Sequence, residues 1–394
     1  MGESMIDKKI KVLFCFHYSN LYNGGVRSMV DVIENLIKKG DIIAYAVFPT
    51  FQGSAIDYLE NLGVKIIKLP FYRNDYKVND NKKININYKY IIKKFMSPVL
   101  LYILRYKVKK AKVDIVYSNT IVIDYGYIIS KMLNLHHIWH IREFGKEDHD
   151  MLLRGGEKAL FNKLNHSSAI IYISNSVREK FSPHIRKNIL QKVVYNDISK
   201  SFINRKSYFN VDPDKPLRAT IIGSIEEGKG QLLAIQGVEK ANSQGVKIEL
   251  HICGRKVGSY FDTINNYVKV HCLSNQVIFD GFHTNMNEYR ANMDIGIVAS
   301  RSEAFGRVTI EGMLSNLVMV GSNSAGTGEL ITDSETGLLY EKDNTSELAE
   351  KLVYLYKNRD KLQELALNGF HYAEKYTQGN AANVIYSIIM KLVL

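Results

Sequence analysis

The feature that most constrains this chain is an alternation repeated along its length. Short runs rich in β-branched and aromatic residues recur, each followed by a glycine-bearing polar turn and then a stretch with helical periodicity. That order is the signature of βαβ units, which build parallel sheets with helices on their faces. In the first half the expected strands lie in KIKVLFCFH, IIAYAVFP, VKIIKLP, DIVYSN, HIWHI and AIIYIS. In the second half they lie in RATIIGS, VKIELHICG, QVIFDGF, DIGIVAS and LVMVGS. With 394 residues the chain is long enough for two such sheets in tandem, each burying its own core. Periodicity lapses over residues 199–216, where VDPDKP sets Pro213 and Pro216 just ahead of a new strand, as a linker does.

Composition narrows the setting. Cys15, Cys253 and Cys272 are odd in number and widely spaced, with no C-x-x-C pair, which argues for a reducing compartment without structural disulfides or zinc. The opening MGESMIDKKIKVLFCF passes from a polar lead straight into a strand, so no secretion signal is expected. The apolar run from Phe95 to Leu104 contains Pro98 and is about half the length needed to span a bilayer. A cytoplasmic protein is expected. Its charge is uneven: of the net +12, residues 1–200 carry +14 and residues 201–394 carry −2, with +10 in residues 71–112 alone. In that stretch Lys and Arg interleave with Tyr, Ile, Phe and Leu, a pattern suited to an anionic membrane surface and equally to a solvated basic face. No recognised nucleic-acid-binding module accompanies it, and no nucleic-acid partner is expected.

Two segments of the second half carry chemistry. Gly223 to Lys229, in GSIEEGKGQ, fits the first seven positions of a P-loop, but Gly230 stands where a Ser or Thr would hold magnesium, so the NTPase reading fails. Lys229 nonetheless sits in a glycine-bearing loop after a strand, where open α/β sheets bind phosphorylated ligands. In DIGIVASRSEAFGRVTIEGMLSN a strand ends near Ser300, a loop carries Glu303, and a helix starting near Gly306 carries Glu311. Backbone N–H groups near Phe305, Gly306 and Arg307 can hold an anion, and carboxylates suit hydroxyl groups. Two glutamates beside a phosphate repel it unless they serve another part of the ligand. A nucleotide sugar, with its diphosphate between hydroxyl-rich rings, meets that condition. The plainer reading is a capping glutamate and an exposed helix glutamate.

Glu303 and Glu311, with seven residues between them that include a Phe-Gly pair, resemble the signature of retaining glycosyltransferases of family 4, which have the GT-B fold. GSIEEGKGQ resembles that family's lysine-glycine loop, VIFDGF its next strand and turn, and SNSAGTGELITDSETGLLY its glycine-rich stretch; NGGVRSM, IIYISNSVREKF and VVYNDI extend the resemblance more weakly into the first half. The resemblance implies two Rossmann-like domains facing each other across a cleft. An acceptor-binding domain would occupy 1–200, a linker 201–216 and a nucleotide-sugar-binding domain 217–376, with a final helix over 377–394 packing back on the first domain. Lys229, with Gly223 and Ser224, would meet the donor diphosphate together with the amides of Ala304, Phe305, Gly306 and Arg307; Glu303 would face the sugar hydroxyls, and Glu311 would bind the ribose. Neither a metal nor another cofactor is expected. Where the family usually carries an arginine this chain has Ser224, and Arg255 or Arg307 is left to supply the cation.

In the first half HIWHIREFGKEDHD brings His140, Arg142 and Glu143 to a strand end, with His140 and Arg142 on one face. One of these two would meet the donor sugar, and Gly24 and Gly25 would let a ligand approach the first loop. His136, His137, His140 and His149 match no common metal-ligand spacing. The expected activity is metal-independent, retaining transfer of a sugar from a UDP- or GDP-sugar to a glycan or lipid-linked saccharide in surface polysaccharide synthesis. The setting would be cytoplasmic, with a peripheral position on the inner face of the plasma membrane open to it. The competing reading is a catalytically weak relative acting as a nucleotide-sugar sensor. A nicotinamide dehydrogenase ranks last, since no G-x-G-x-x-G follows a strand.

Overall fold

The computed structural model describes residues 9–77, 88–149, 151–206, 212 and 214–394. Sequence expectations that fall on the N-terminal lead, on residues 78–87 of the basic stretch, and on residues 207–211 and Pro213 of the linker lie outside the described residues. The chain divides into two compact units: Met1–Asp197 with Gly379–Leu394, and Ile198–Gln378.

In the first unit the strands are β1 (Ile10–Cys15), β2 (Ile42–Phe48), β3 (Lys65–Lys68), β4 (Asp75–Lys77), β5 (Ile115–Ser118), β6 (His136–Ile141), β7 (Met151–Leu153), β8 (Ala169–Tyr172) and β9 (Leu190–Val193). Seven form a parallel sheet in the order β3-β2-β1-β5-β6-β8-β9, while β4 and β7 pair antiparallel on their own. Alternation along β1 serves both faces. Val12 and Phe14 enter a core with Met29 and Ile33, whereas Leu13 and Cys15 enter another with Leu100, Leu104 and Val108. Ile385 and Ile389, from the helix Asn380–Val393, complete the first of these cores. Asp197 caps that helix, accepting from the N–H groups of Ala381 and Ala382 at 3.1 Å each.

The second unit contains β10 (Leu217–Ile222), β11 (Ile248–Cys253), β12 (Val277–Gly281), β13 (Ile295–Val298), β14 (Val318–Ser322) and β15 (Leu338–Tyr340), all parallel in the order β12-β11-β10-β13-β14-β15. Residues 201–206, read as linker from the sequence, are tied onto this unit: Asn204 donates its N–H to the Leu314 carbonyl at 2.9 Å. The structure adds four strands that periodicity did not reveal. β4, β7 and β15 are three residues long, and β9, with the sequence LQKV, is an edge strand without a fully buried residue. The apolar run from Phe95 to Leu104 lies inside one helix, Tyr88–Ala111, which continues through Pro98.

In both units the chain builds outward from the first strand on one side, then crosses to the other side. The crossings separate β1 from β5 and β10 from β13, neighbours whose following loops diverge and leave a crevice at their carboxyl ends.

Ile385 and Ile389 are fully buried, so Ile385→Ala should lower stability by about 2–5 kcal/mol in urea unfolding. Lys391→Ala, on the exposed side of the same helix, should stay within about 0.5 kcal/mol. Equal effects of the two would remove the helix from that core.

Candidate functional site

The crevice of the second unit gathers the predicted phosphate and sugar ligands. Lys229 ends a short 3-10 turn, Glu227–Lys229, and Gly230 follows with φ 71°. A Cβ at Gly230 would lie 2.0 Å from the Ala299 carbonyl oxygen, so only glycine lets the lysine loop pack on the end of β13. The loop after β13 is fastened in turn by Arg301 N–H donating to the Gly228 carbonyl at 2.9 Å. These contacts bring Lys229 Nζ to 2.6 Å from Glu303 Oε1, which also accepts from Ser300 Oγ at 2.7 Å. Gly326 N–H holds the Glu303 carbonyl at 2.8 Å, and Ala304 and Phe305 are buried beneath the loop.

The other predicted members divide among three places. Gly223, after β10, flanks the aliphatic part of Lys229. Ser224 offers its carbonyl to Gln231 Nε2 at 2.9 Å. Arg255 lies with its guanidinium 4.2 Å from the centre of the Phe282 ring. Gly306, with φ 89°, caps the helix Arg307–Met313, which carries Glu311. Arg307 Nε donates to Glu311 Oε1 at 3.2 Å. Glu311 Oε2 accepts from Arg290 Nη2 at 2.5 Å. Arg290, 1% exposed and borne by the helix Met286–Ala291, is absent from the sequence prediction. Nothing in the mixed polar approach to β13, MNEYRANMD, says that this arginine turns toward Glu311.

The crevice of the first unit gathers a second set. Asn23 caps the helix Gly24–Ile37 by accepting from Val26 N–H at 3.1 Å. The Gly25 carbonyl accepts from Asn119 Nδ2 at 3.0 Å. Arg142 donates from Nε to Asn119 Oδ1 and from Nη1 to Asn196 Oδ1, each at 2.6 Å. Its Nη2 lies 3.2 Å from His140 Nδ1, which also meets Tyr117 Oη at 2.7 Å. A guanidinium only donates, so Nδ1 is the acceptor and the proton of a neutral His140 sits on Nε2. Burial, and then the Arg142 charge, push this imidazole well below its usual pKa and keep it neutral. Nε2 is buried without a hydrogen-bond partner.

His137 is also buried, its two ring nitrogens on Ser118 and Ser167 at 2.9 and 3.2 Å, and burial lowers its pKa to about 3. His136 Nδ1 meets Ser168 Oγ at 3.1 Å; the side chain of His149 lies outside the described residues. Among the described residues no three His, Cys, Asp or Glu side chains are placed to hold one metal ion. Glu143 is buried beneath the Arg142 turn, where it accepts from Ile121 N–H at 2.8 Å, Arg142 N–H at 3.1 Å and the Thr120 hydroxyl. Desolvation outweighs these bonds and raises its pKa to about 7.

Residues 204–371 match the family described as glycosyl transferases group 1. An uncharacterized glycosyltransferase of Methanocaldococcus jannaschii is 22% identical over 85% of this chain and 94% of that protein. The N-acetyl-alpha-D-glucosaminyl L-malate synthase of Bacillus anthracis is 24% identical over 54% of this chain and 57% of its own length. Among solved structures, Anabaena HepE in complex with UDP and glucose superposes with a TM-score of 0.75 at 18% identity, over 97% of this chain and 99% of that one. TarM superposes equally well, with a TM-score of 0.75 at 14% identity over 96% of this chain and 98% of that one. The fold is GT-B, built from two Rossmann-like units.

Glu143 gives the first unit a pH dependence of definite sign. Its folded pKa, about 7, stands above the ordinary 4.5, so its contribution to stability is present below the ordinary value and is lost as pH rises through the folded one. Urea midpoints of wild type and Glu143→Gln, compared at about pH 5 and about pH 8, should favour wild type more at the lower pH. A difference independent of pH would place the carboxyl in a solvated environment.

Proposed function

We propose that this chain, whose second unit belongs to the group 1 glycosyl transferases, moves a sugar from a nucleoside diphosphate to a glycan or lipid-linked saccharide with retention of anomeric configuration. The observation that carries the proposal is the Lys229–Glu303 ion pair at the crevice of the second unit. A lone glutamate there would repel a diphosphate. Paired, the two charges offset one another, and the residue types suit the two parts of the ligand: an ammonium donates to phosphate oxygens and a carboxylate accepts from sugar hydroxyls. The acceptor hydroxyl oxygen bonds to the anomeric carbon, the diphosphate departs with the electron pair of the broken C–O bond, and the hydroxyl proton passes to the departing phosphate oxygen. Lys229 and the amides of Ala304, Phe305, Gly306 and Arg307 balance its charge without a metal ion. Glu311 takes the ribose.

For the donor sugar we assign His140 rather than Arg142. All three of the Arg142 nitrogens are directed at protein acceptors, whereas His140 keeps an unpartnered N–H for a hydroxyl. The complexes of HepE with UDP and UDP-glucose favour a UDP-sugar as donor. Relatives that support a surface-polysaccharide role include a Campylobacter jejuni transferase named for a diphospho-undecaprenol acceptor and an Escherichia coli O-antigen glycosyltransferase, which are 27% and 26% identical over 45% of this chain.

Such an acceptor lies at a membrane, and one helix is suited to that surface. Tyr88–Ala111 turns Leu100, Leu104 and Val108 into the core and leaves Phe95 81%, Val99 60%, Tyr102 67% and Tyr106 63% exposed. These four fall on one stripe at helical spacing, opposite the buried face, within the segment of net charge +10. No helix of the described residues is long and apolar enough to cross a membrane. The expected mode is therefore attachment in the interface, apolar stripe inward and basic groups toward anionic headgroups.

Two measurements test this reading. In a thermal-shift panel of UDP-, GDP-, ADP- and dTDP-sugars, ligand at a hundred times its dissociation constant should stabilise wild type by about 2.7 kcal/mol, and Glu311→Ala should cut the gain to about half. Silence across the whole panel would remove the donor site. In vesicle co-sedimentation the protein should prefer anionic over neutral vesicles, and Phe95→Glu should weaken that binding. Equal sedimentation with both lipids would end the membrane assignment.

A further inference from the structure

We infer that Arg290 is a positioning residue for the donor nucleotide: it fixes the Glu311 carboxylate in the orientation from which that group meets the ribose hydroxyls. The inference rests on the reading of Glu311 as the ribose ligand and adds to it a residue outside the 303–311 segment. Glu311 has three rotatable side-chain bonds, and its own helix controls the carboxylate only through Arg307, four residues back. Arg290 arrives from a different element, the helix Met286–Ala291. The two guanidiniums take different oxygens, Arg307 Oε1 and Arg290 Oε2, so the carboxylate plane is held at both ends. Each carboxylate oxygen accepts about two hydrogen bonds, which leaves one acceptor on each for a pair of adjacent hydroxyls. Arg290 is 1% exposed against 8% for Glu311, so the carboxylate is the more accessible member of the pair.

The cost of this arrangement points the same way. Arg290 Nε and Nη1 are buried without hydrogen-bond partners. Its guanidinium and that of Arg307 both lie within 6 Å of the Phe202 ring, at 5.7 and 5.8 Å, so two cations crowd one anion. A buried pair of this kind stabilises a fold poorly compared with apolar side chains of the same volume. Orientation of the shared carboxylate is what the pair supplies and apolar packing would not.

The test compares a ribonucleotide with its 2′-deoxy counterpart on the full-length protein: UDP with dUDP, GDP with dGDP and ADP with dADP, using the pair whose ribonucleotide binds wild type most tightly. A hydrogen bond to an ionised carboxylate corresponds to about a tenfold or greater preference for the ribonucleotide. Arg290→Gln and Glu311→Ala should each bring the ratio of dissociation constants close to one, the double variant should lose no more, and Arg290→Lys should retain part of the preference. A lower melting temperature with an unchanged ratio in Arg290→Gln would make Arg290 a purely structural residue and overturn the inference, leaving the ribose assignment intact. Should Arg290→Gln not fold, Arg290→Lys decides, a reduced ratio supporting the role and an unchanged one overturning it. A wild type that binds both nucleotides equally would overturn the ribose assignment of Glu311, and the role of Arg290 with it.

Discussion

The second unit depends on the pairing of β10 with β13. These strands are remote in sequence but adjacent in the sheet, held in register through Ala219 with Ile295 and Thr220 with Gly296. One delivers the lysine loop and the other the glutamate loop to the same crevice. Because parallel neighbours end on the same side, the two loops have to meet, and their meeting is fine-tuned by backbone contact. Gly230 against the Ala299 carbonyl and Arg301 against the Gly228 carbonyl set the spacing that lets Lys229 reach Glu303. The side-chain ion pair is thus the last consequence of strand order and not its cause. The first unit follows the same logic with different chemistry, since β1 and β5 bring the double-glycine loop and Asn119 together for Arg142 to join.

The two crevices manage charge differently. In the second unit carboxylates and cations are matched at the surface of the crevice or just inside it. In the first, Arg142 donates to two neutral amide oxygens and meets an imidazole held uncharged by burial and by that same arginine. Glu143, the nearest acid in sequence, accepts backbone N–H groups instead and is itself driven toward neutrality by desolvation. The amide oxygens of Asn119 and Asn196 therefore orient the arginine as neutral acceptors.

How much of this was legible in the sequence follows from the range of the interactions. Every strand with a run of buried β-branched residues announced itself by its pattern, and Lys229, Glu303 and Glu311 were legible because each occupies a defined place in a strand-loop-helix succession. His140 and Arg142 were legible as a pair on one strand face, but which of them keeps a free donor depends on Asn119, Asn196 and Tyr117, brought in from other elements. Arg290 was illegible because its role comes from the reach of a long side chain between two helices. The short strands β4, β7 and β15 were missed because three residues carry too little periodicity to register. Residues 201–206 looked like linker because their order comes from hydrogen bonds to a neighbouring segment and not from their own pattern.

The membership of Gly379–Leu394 in the first unit has a consequence for biosynthesis. A ribosome releases residues 9–197 with one face of their sheet still missing Ala381, Ala382, Ile385, Ile388 and Ile389, and with the Asp197 carboxylate still without the helix it caps. Everything from Ile198 to Gln378 emerges before that gap is filled, although its own core is complete in itself. The unit translated first is consequently the one finished last. During the interval its uncovered apolar face is the part of the nascent chain that chaperones have most reason to hold.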